Sequence, residues 1–316
     1  MRGPGGFAVR LPGARSMGKQ NIFLTGASGT LGKPVLRALA ATGEFEVHCL
    51  ARSAAAESLV ASLGGLPVRG AMEDRGLFEE LRDRRPYHHV VHIAQADSRR
   101  HSNEEIDRID RAAVANLERL RSAATRLMVY TSGVWIFGAV GAGQRISEST
   151  PLNPFEAARG RASLVAELRK RTGDGWAPLC PPSVVYGAEG ALRNAADRLR
   201  SGDIEVIDDP SVQWSVIEAG DLARAYLALL RRGRPGDFFV VAEDAPVGAI
   251  EFYESLASRL GSGRVTRKPR AHWEQSLPAD AVERMYASQP VDSSRFKERT
   301  GWSAVESFAS SVGRFL

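Results

Sequence analysis

Short apolar runs alternate with helical patterns along the first part of the chain. The runs NIFLTG, FEVHCLA, LPVRG, HHVVHIA, RLMVYTS and WAPLCPP predict six strands. Helical spacing of apolar residues appears in TLGKPVLRALAAT, in GLFEELRD, over residues 103–123 and over residues 155–171. Strands that alternate with helices form a parallel sheet covered on both faces. The pattern therefore predicts an α/β fold of the Rossmann type, with a doubly wound parallel sheet.

After Pro182 the elements become shorter and are separated by prolines and glycines. This change predicts a first domain over residues 19–182 and a smaller lobe over residues 183–316, interleaved with the last strands of the sheet. Residues 1–18 contain arginines, glycines and prolines but no acid. We expect this segment to be a disordered tail that precedes the fold.

Composition excludes several classes of function. The chain is 43% hydrophobic and 25% charged, with a net charge of +5 spread among acids, so no nucleic-acid surface is expected. No apolar run approaches the roughly 18 residues of a membrane span. The two cysteines, Cys49 and Cys180, lie in apolar runs without metal-ligand spacing. They indicate core residues, no metal site and a reducing, cytoplasmic location.

The segment TGASGTLG follows the first predicted strand and opens the first predicted helix. In that context Gly26 permits a tight turn, Gly29 a close approach of backbone to a pyrophosphate, and Gly32 close packing of the helix. The free N–H groups at the helix N-terminus favour an anion. The predicted dinucleotide-binding residues in this loop are Thr25, Gly26, Ser28, Gly29, Thr30, Leu31 and Gly32.

The second strand ends in CLARS, which offers Arg52 where an NAD site usually has an acid. A guanidinium favours a 2′-phosphate, so the predicted cofactor is NADP. Asp74, after the third strand, is placed either to accept from the adenine amine or to cap the helix that follows. Ala94 and Gln95 end the fourth strand and are expected to lie against the cofactor.

Together, TGASGTLG, VVHIAQ, Asn116, VYTSG, PPSVVYG and WSVIEAGDLARAYL resemble, in content and order, the extended short-chain dehydrogenase/reductase superfamily, in its epimerase/dehydratase-like branch. The resemblance implies that Ser132 hydrogen-bonds the reacting oxygen of a small-molecule substrate. It also implies that Thr131, Pro182 and Val184 lie beside the cofactor. Family members often dimerise through helices that match residues 103–123 and 155–171, which leaves a monomer or a homodimer open here.

The family's catalytic tyrosine, with a lysine four residues later, is absent from NPFEAARGRASLVAE. One alignment puts Phe155 and Arg159 at the two positions, and another puts Arg159 and Ser163 there. Neither restores a group that can exchange a proton near neutral pH. Ser132 with a guanidinium, from Arg159 or Arg161, can still stabilise an alkoxide. The prediction is an NADP-dependent oxidoreductase with Ser132 and Arg159 as catalytic residues; the alternatives are a non-redox enzyme with bound NADP and a non-catalytic NADP-binding sensor.

Other features bear on the proton donor and on the substrate. Tyr130, Tyr186 and Glu148 are further candidate proton donors. Four aromatic residues can line an apolar pocket, which predicts a small apolar carbonyl substrate, as in secondary metabolism: Trp135, Phe137, Phe155 and Trp214. Three arginines leave a nucleotide sugar open instead: Arg193, Arg198 and Arg200.

Overall fold

The computed structural model describes residues 18–171 and 173–316, so the predicted tail, apart from Gly18, lies outside the described residues. The strands are β1 Gln20–Thr25, β2 Phe45–Ala51, β3 Leu66–Arg69, β4 His89–His92, β5 Leu127–Thr131, β6 Trp176–Cys180, β7 Val184–Tyr186, β8 Ile204–Ile207, β9 Gln213–Trp214, β10 Val216–Glu218, β11 Phe239–Val240, β12 Val247–Gly248 and β13 Val265–Lys268. The α-helices are α1 Gly32–Ala41, α2 Ala54–Ser62, α3 Arg75–Arg84, α4 Asn103–Glu118, α5 Arg159–Lys170, α6 Ala191–Ser201, α7 Ala219–Arg232, α8 Ala249–Leu260, α9 Arg270–Glu274, α10 Ala279–Met285, α11 Ser294–Thr300 and α12 Phe308–Ser311.

The central sheet has seven parallel strands in the order β11-β6-β5-β4-β1-β2-β3. The chain runs outward from β1 to β3 on one side, and then from β4 to β11 on the other. This reversal makes the carboxyl ends of β1 and β4 the crevice where such sheets bind ligands. The predicted doubly wound Rossmann fold is confirmed.

Alternating residues of the central strands enter two separate apolar cores. Phe23 and Val90 pack in the core that α3, α4 and α5 cover, whereas Leu24 and Val91 pack in the core that α1 and α7 cover. Because both faces are covered, these strands are apolar at almost every position, as the sequence runs indicate.

A third core holds the smaller elements together, with residues such as Leu192 and Phe252 of α6 and α8. Here β7 pairs with β10 and β8 with β13 in parallel, while β9 and β12 are antiparallel. The strand β11 returns to the central sheet, and α7 packs on α1. The exact division at residue 182 stays a prediction.

Helix boundaries differ from the predicted ones in one place that matters for the site. The helix predicted over 155–171 begins with a 3-10 turn, Glu156–Ala158, and becomes α-helical only at Arg159. The helix predicted over 103–123 ends at Glu118. Within the described ranges, every helix is too short or too polar to cross a bilayer.

Candidate functional site

The glycine-rich loop between β1 and α1 is folded so tightly that two of its glycines admit no side chain. Gly26 has a φ of +78°, and a Cβ there would lie 2.6 Å from the backbone nitrogen of Ala94. A Cβ on Gly32 would lie 2.0 Å from the carbonyl oxygen of Gly26. Gly29 donates its N–H to the same oxygen at 2.9 Å. The loop is thereby held against the end of β4, beside the N-terminus of α1.

A cleft of about 350 Å³ lies over the carboxyl ends of β1, β2 and β4. Its wall contains most of the predicted cofactor residues: Thr25, Gly26, Ser28, Gly29, Thr30, Leu31, Gly32, Arg52, Ala94 and Gln95. It also contains residues that the sequence reasoning missed: Leu50, Ser53, Ala56, Met72 and Ile93. Most of these lie at or just after the ends of predicted strands, which is the signal that would have found them.

Four predicted cofactor residues lie outside the wall of this cleft. Asp74 caps α3, since its Oδ1 accepts from the backbone N–H of Leu77 at 3.2 Å. The hydroxyl of Thr131 lies 2.6 Å from that of Tyr226, in the interior. Pro182 and Val184 are buried. The structure therefore brings ten of the fourteen predicted residues together and leaves these four outside the wall.

The β2 end of the cleft carries positive charge. Arg52 is exposed there, one residue before Ser53, whose Oγ caps α2 by accepting from the N–H of Ala56 at 3.2 Å. The guanidinium and the N-terminus of α2 therefore lie next to each other, and both favour an anion. No acidic residue occupies the first turn of α1. The cleft thus fits the phosphates of a dinucleotide.

A larger cavity of about 920 Å³ adjoins the cleft, because Gln95 lines both. One side is formed by the segment after β5, with Ser132 and Trp135, and another by the start of α5. The helix α10 covers it with Asp280 and Arg284, which form an ion pair. This cavity lies where the resemblance expects a substrate.

Ser132 and Arg161, in the wall of this cavity, each have a buried polar atom with unused hydrogen-bonding capacity. Ser132 is 7% exposed, and its Oγ has no hydrogen-bond partner among the described residues. Arg161 donates from Nε to Oδ2 of Asp110 at 3.0 Å and from Nη1 to the carbonyl oxygen of Thr131 at 3.3 Å. Its Nη2 is buried and has no partner within the described chain. Buried polar atoms are normally paired, so these two mark a place for a polar ligand atom.

Arg159, the predicted catalytic arginine, does not share the Ser132 cavity. Its side chain is 68% exposed and pairs with Glu156 at 2.8 Å, and it lines a separate groove. The 3-10 turn Glu156–Ala158 makes Arg159 the first residue of α5, where its side chain reaches back to Glu156. Arg161 stands in the cavity wall instead.

None of the residues in the two predicted alignments of the missing pair lines the cavity. Phe155 is absent from the cavity wall, and the Ser163 hydroxyl bonds to Arg111 and Glu167. Ala157 and Arg161, four residues apart, both line the cavity. A sequence signal for this third register exists: Arg161 shares helical spacing with three buried positions of α5, namely Leu164, Val165 and Leu168.

The other candidate proton donors point elsewhere. Tyr130 donates to Asp110 at 3.1 Å, the Tyr186 hydroxyl lies 3.0 Å from Ser311, and Glu148 accepts from the N–H of Val240 at 3.1 Å. Burial raises the pKa of all three groups. None of them lines the cavity.

Of the four predicted pocket aromatics, only Trp135 lines the cavity, where it is 38% exposed. Phe137 belongs to the core, and Trp214 packs on Phe252 and Tyr253. Three arginines kept a nucleotide sugar as an alternative substrate. They lie on α6, outside the cavity wall: Arg193, Arg198 and Arg200.

A series of buried side chains lies between the two sites. The Thr25 hydroxyl lies 2.6 Å from Nδ1 of His92, and the His92 ring packs on Tyr130, which reaches Asp110. Burial lowers the pKa of His92 to about 4, so this imidazole is neutral at physiological pH. Among residues 18–171 and 173–316, no three His, Cys, Asp or Glu side chains are arranged to hold a metal ion.

The chain is similar to several known proteins. The 4-hydroxy-2-methyl-3-oxo-4-farnesyl-3,4-dihydroquinoline-1-oxide ketoreductase of Stigmatella aurantiaca is 27% identical over 247 residues, 76% of this chain and 73% of the relative. The structure of a UDP-glucose 4-epimerase from Thermus thermophilus in complex with NAD has a TM-score of 0.76 at 21% identity, covering 93% of this chain and 97% of that one.

A UDP-glucose 4-epimerase structure from Thermotoga maritima with UDP-glucose has a TM-score of 0.78 at 16% identity, covering 94% of this chain and 98% of that one. At such identities, the structural likeness establishes the fold alone. The model of the NAD dependent epimerase/dehydratase family matches residues 22–242, from β1 to just past β11. By that match, the chain belongs to the NAD dependent epimerase/dehydratase family.

Proposed function

We propose that the protein is an NADP-dependent reductase of an apolar ketone or aldehyde, in which Ser132 and Arg161 hold the reacting oxygen. One observation carries the proposal. The Ser132 hydroxyl and Nη2 of Arg161 are buried without partners in the described chain, and both residues line a cavity that meets the glycine-loop cleft. Two donors in the wall of one cavity suit an oxygen that gains negative charge.

The glycine loop and the N-terminus of α1 would hold the pyrophosphate, and Arg52 with the N-terminus of α2 would hold a 2′-phosphate. The choice of NADP over NAD rests on Arg52 and on the absence of an acid at that position of the loop. When bound, the nicotinamide supplies the hydride. Gln95, which lines both spaces, would lie between cofactor and substrate.

The protein's own contribution is electrostatic. As the carbonyl carbon gains hydride, its oxygen becomes an alkoxide, to which Ser132 and Arg161 donate hydrogen bonds. Asp110 and the Thr131 carbonyl hold the guanidinium in place. Arginine keeps its proton, so the proton that completes the alcohol comes from water. The loss of tyrosine removes the acid but leaves the oxyanion site.

An apolar carbonyl substrate is supported by the cavity wall and by one relative. Val134, Trp135 and Ile136 contribute to the wall, and Arg284 is already paired with Asp280. A nucleotide sugar would need unpaired cations for its diphosphate. The relative from Stigmatella aurantiaca is named as a ketoreductase of a farnesylated quinoline oxide. We extend this to a ketone of secondary metabolism, reduced in the cytoplasm by a monomer or a homodimer.

A non-catalytic NADP-binding sensor is the second candidate. The observation that favours it is the composition of the cavity wall, which contains neither tyrosine nor lysine in the described chain. Such a protein would bind NADP in the same cleft and convert nothing. A non-redox enzyme with resident NADP would convert a substrate without a net change in the nicotinamide.

The test is a pair of measurements on wild-type protein and on Ser132→Ala. Calorimetric titration with NADPH, NADP, NADH and NAD should give tight binding of the phosphorylated pair to both proteins. A panel of apolar ketones should then oxidise NADPH with wild-type protein, and at least about 100-fold more slowly with the variant. Binding without turnover for every ketone would favour the sensor, and the absence of nucleotide binding would refute the proposal.

A further inference from the structure

A second space opens beside the Ser132 cavity. This groove of about 200 Å³ lies between the start of α4 and the start of α5. Its wall shares several residues with the cavity: Asn103, Ile106, Glu156, Ala157 and Arg161. The two spaces therefore abut along the first turn of α5. Ala157 contributes only a methyl group at this border, at the position where the register ending in Arg161 would put the family's tyrosine.

Asp110, in the wall of this groove, has an unused acceptor. The residue is 1% exposed, and it belongs to the groove wall but not to the cavity wall. Its Oδ2 accepts from Tyr130 at 3.1 Å and from Nε of Arg161 at 3.0 Å. Its Oδ1 is buried and has no partner within the described residues. A buried carboxylate oxygen in this condition needs a donor.

The charge of the groove selects the kind of donor. Carboxylates in its wall outnumber guanidinium groups, with Glu104, Asp107, Asp110 and Glu156 against Arg159 and Arg161. Asp107 already pairs with Arg111, and Glu156 with Arg159. Such a wall disfavours anions and favours a hydrogen-bond donor such as a hydroxyl or N–H group.

We infer that the substrate extends from Ser132 past Ala157 and donates a hydrogen bond from a hydroxyl or N–H group to Oδ1 of Asp110. This inference rests on the proposed function and narrows its substrate class to carbonyl compounds with a phenolic hydroxyl or N–H group beside the apolar frame. Asp110 then has two roles: one oxygen orients Arg161, and the other recognises the substrate. Ala157 determines specificity, because a larger side chain there would close the passage.

The probes for the test are hydroxy-tetralones with the hydroxyl at successive positions of the aromatic ring, each paired with its methyl ether. Binding is measured by calorimetry with NADP present, and reduction is measured with NADPH. For wild-type protein, at least one phenol should bind about 10-fold or more tightly than its ether, the size expected for a hydrogen bond to a charged acceptor. Ala157→Phe should remove this preference by closing the passage.

Asp110→Asn should also remove the preference of the protein for a phenol over its methyl ether. Its side-chain oxygen can still accept from Arg161 and Tyr130, whereas the exchanged atom becomes a donor. If this variant does not fold, Ala157→Phe carries the test alone, since it leaves the ion pair intact.

Equal binding of phenol and ether in every pair would overturn the inference and would mean that water alone satisfies Asp110. If the ketones are nevertheless reduced, the proposed function survives that result. A preference for phenols without any reduction would instead support the Asp110 site and refute the reductase. Failure of every tetralone to bind would contradict both.

Discussion

The glycine-loop cleft and the Ser132 cavity adjoin each other, yet they keep very different amounts of what the family resemblance implies. In the cleft, Gly26 and Gly32 lie where no side chain fits, and ten predicted residues share one wall. In the cavity, Ser132 is present, but the wall contains neither tyrosine nor lysine among the described residues, and Ala157 and Arg161 line it four positions apart. The shape of the cleft is constrained by the close backbone contacts that a dinucleotide needs. The chemical groups in the cavity can change without a change of fold.

This difference indicates where substitutions should act. A change in the cleft should affect folding and nucleotide binding together, because loop, strand and helix touch there. A change in the cavity should affect turnover and leave nucleotide binding in place. The predictions below run from the largest expected effect to the smallest.

Gly32→Ala should have the largest effect. The new Cβ would lie 2.0 Å from the carbonyl oxygen of Gly26, so α1 would have to move away from the loop. We expect a loss of several kcal/mol of stability and the loss of NADP binding. The matched control is Gly133→Ala, in the cavity, where the nearest atom to a Cβ is 3.9 Å away. Thermal unfolding and calorimetry should find the stability and NADP affinity of this control close to those of wild type. Equal losses in both variants would contradict the difference between the cleft and the cavity.

Arg161→Gln should lower kcat by about 100-fold or more while NADP affinity changes little, since a charged donor to the alkoxide is lost. Arg161→Lys, which keeps a counter-charge for Asp110, should lie between this variant and wild type. Arg159→Gln is the control on the same helix, and its kcat toward a ketone too short to enter the groove should stay within about twofold, because Arg159 pairs with Glu156 outside the Ser132 cavity. If Arg159→Gln lowers kcat more than Arg161→Gln does, the arginine that stabilises the alkoxide is Arg159, as the sequence predicts.

The sequence predicts Arg159 in the site, but the structure places Arg161 in the cavity wall. This difference shows which features can be predicted from the sequence alone. The strands and the glycine loop are predictable because continuous apolar runs and a fixed glycine spacing specify them. The helix α2 was not predicted, because Val60 is its only buried residue and it has no apolar stripe. Motif spacing did not indicate that Arg161 rather than Arg159 lines the cavity, because a 3-10 turn precedes α5.

The third prediction tests cofactor choice in the cleft. Arg52→Ala should weaken NADP binding by about 10- to 100-fold, because a charge-assisted contact to the 2′-phosphate is lost. NAD binding should stay nearly unchanged, since NAD lacks that phosphate. Calorimetric titration of both nucleotides measures the ratio. An equal loss of affinity for NAD and NADP would show that Arg52 contacts a part that both cofactors share. Unchanged affinity for both would mean that the Arg52 side chain faces solvent and contacts neither.

The smallest effect concerns His92, which lies between the two regions beside Thr25 and Tyr130. Burial lowers its folded-state pKa to about 4, below the usual value of 6.5, so protons bind the unfolded chain more tightly. Its contribution to stability is therefore complete above pH about 6.5 and is lost as the pH falls toward 4. Between pH 7 and pH 5 this loss amounts to about 2 kcal/mol.

His92→Gln, which can keep a hydrogen bond to Thr25, should show a smaller loss of unfolding free energy over the same interval. Denaturant unfolding of both proteins at the two pH values measures the difference. Identical pH dependence would mean that the imidazole is not desolvated, and that the series of buried side chains between the cleft and the cavity is open to water.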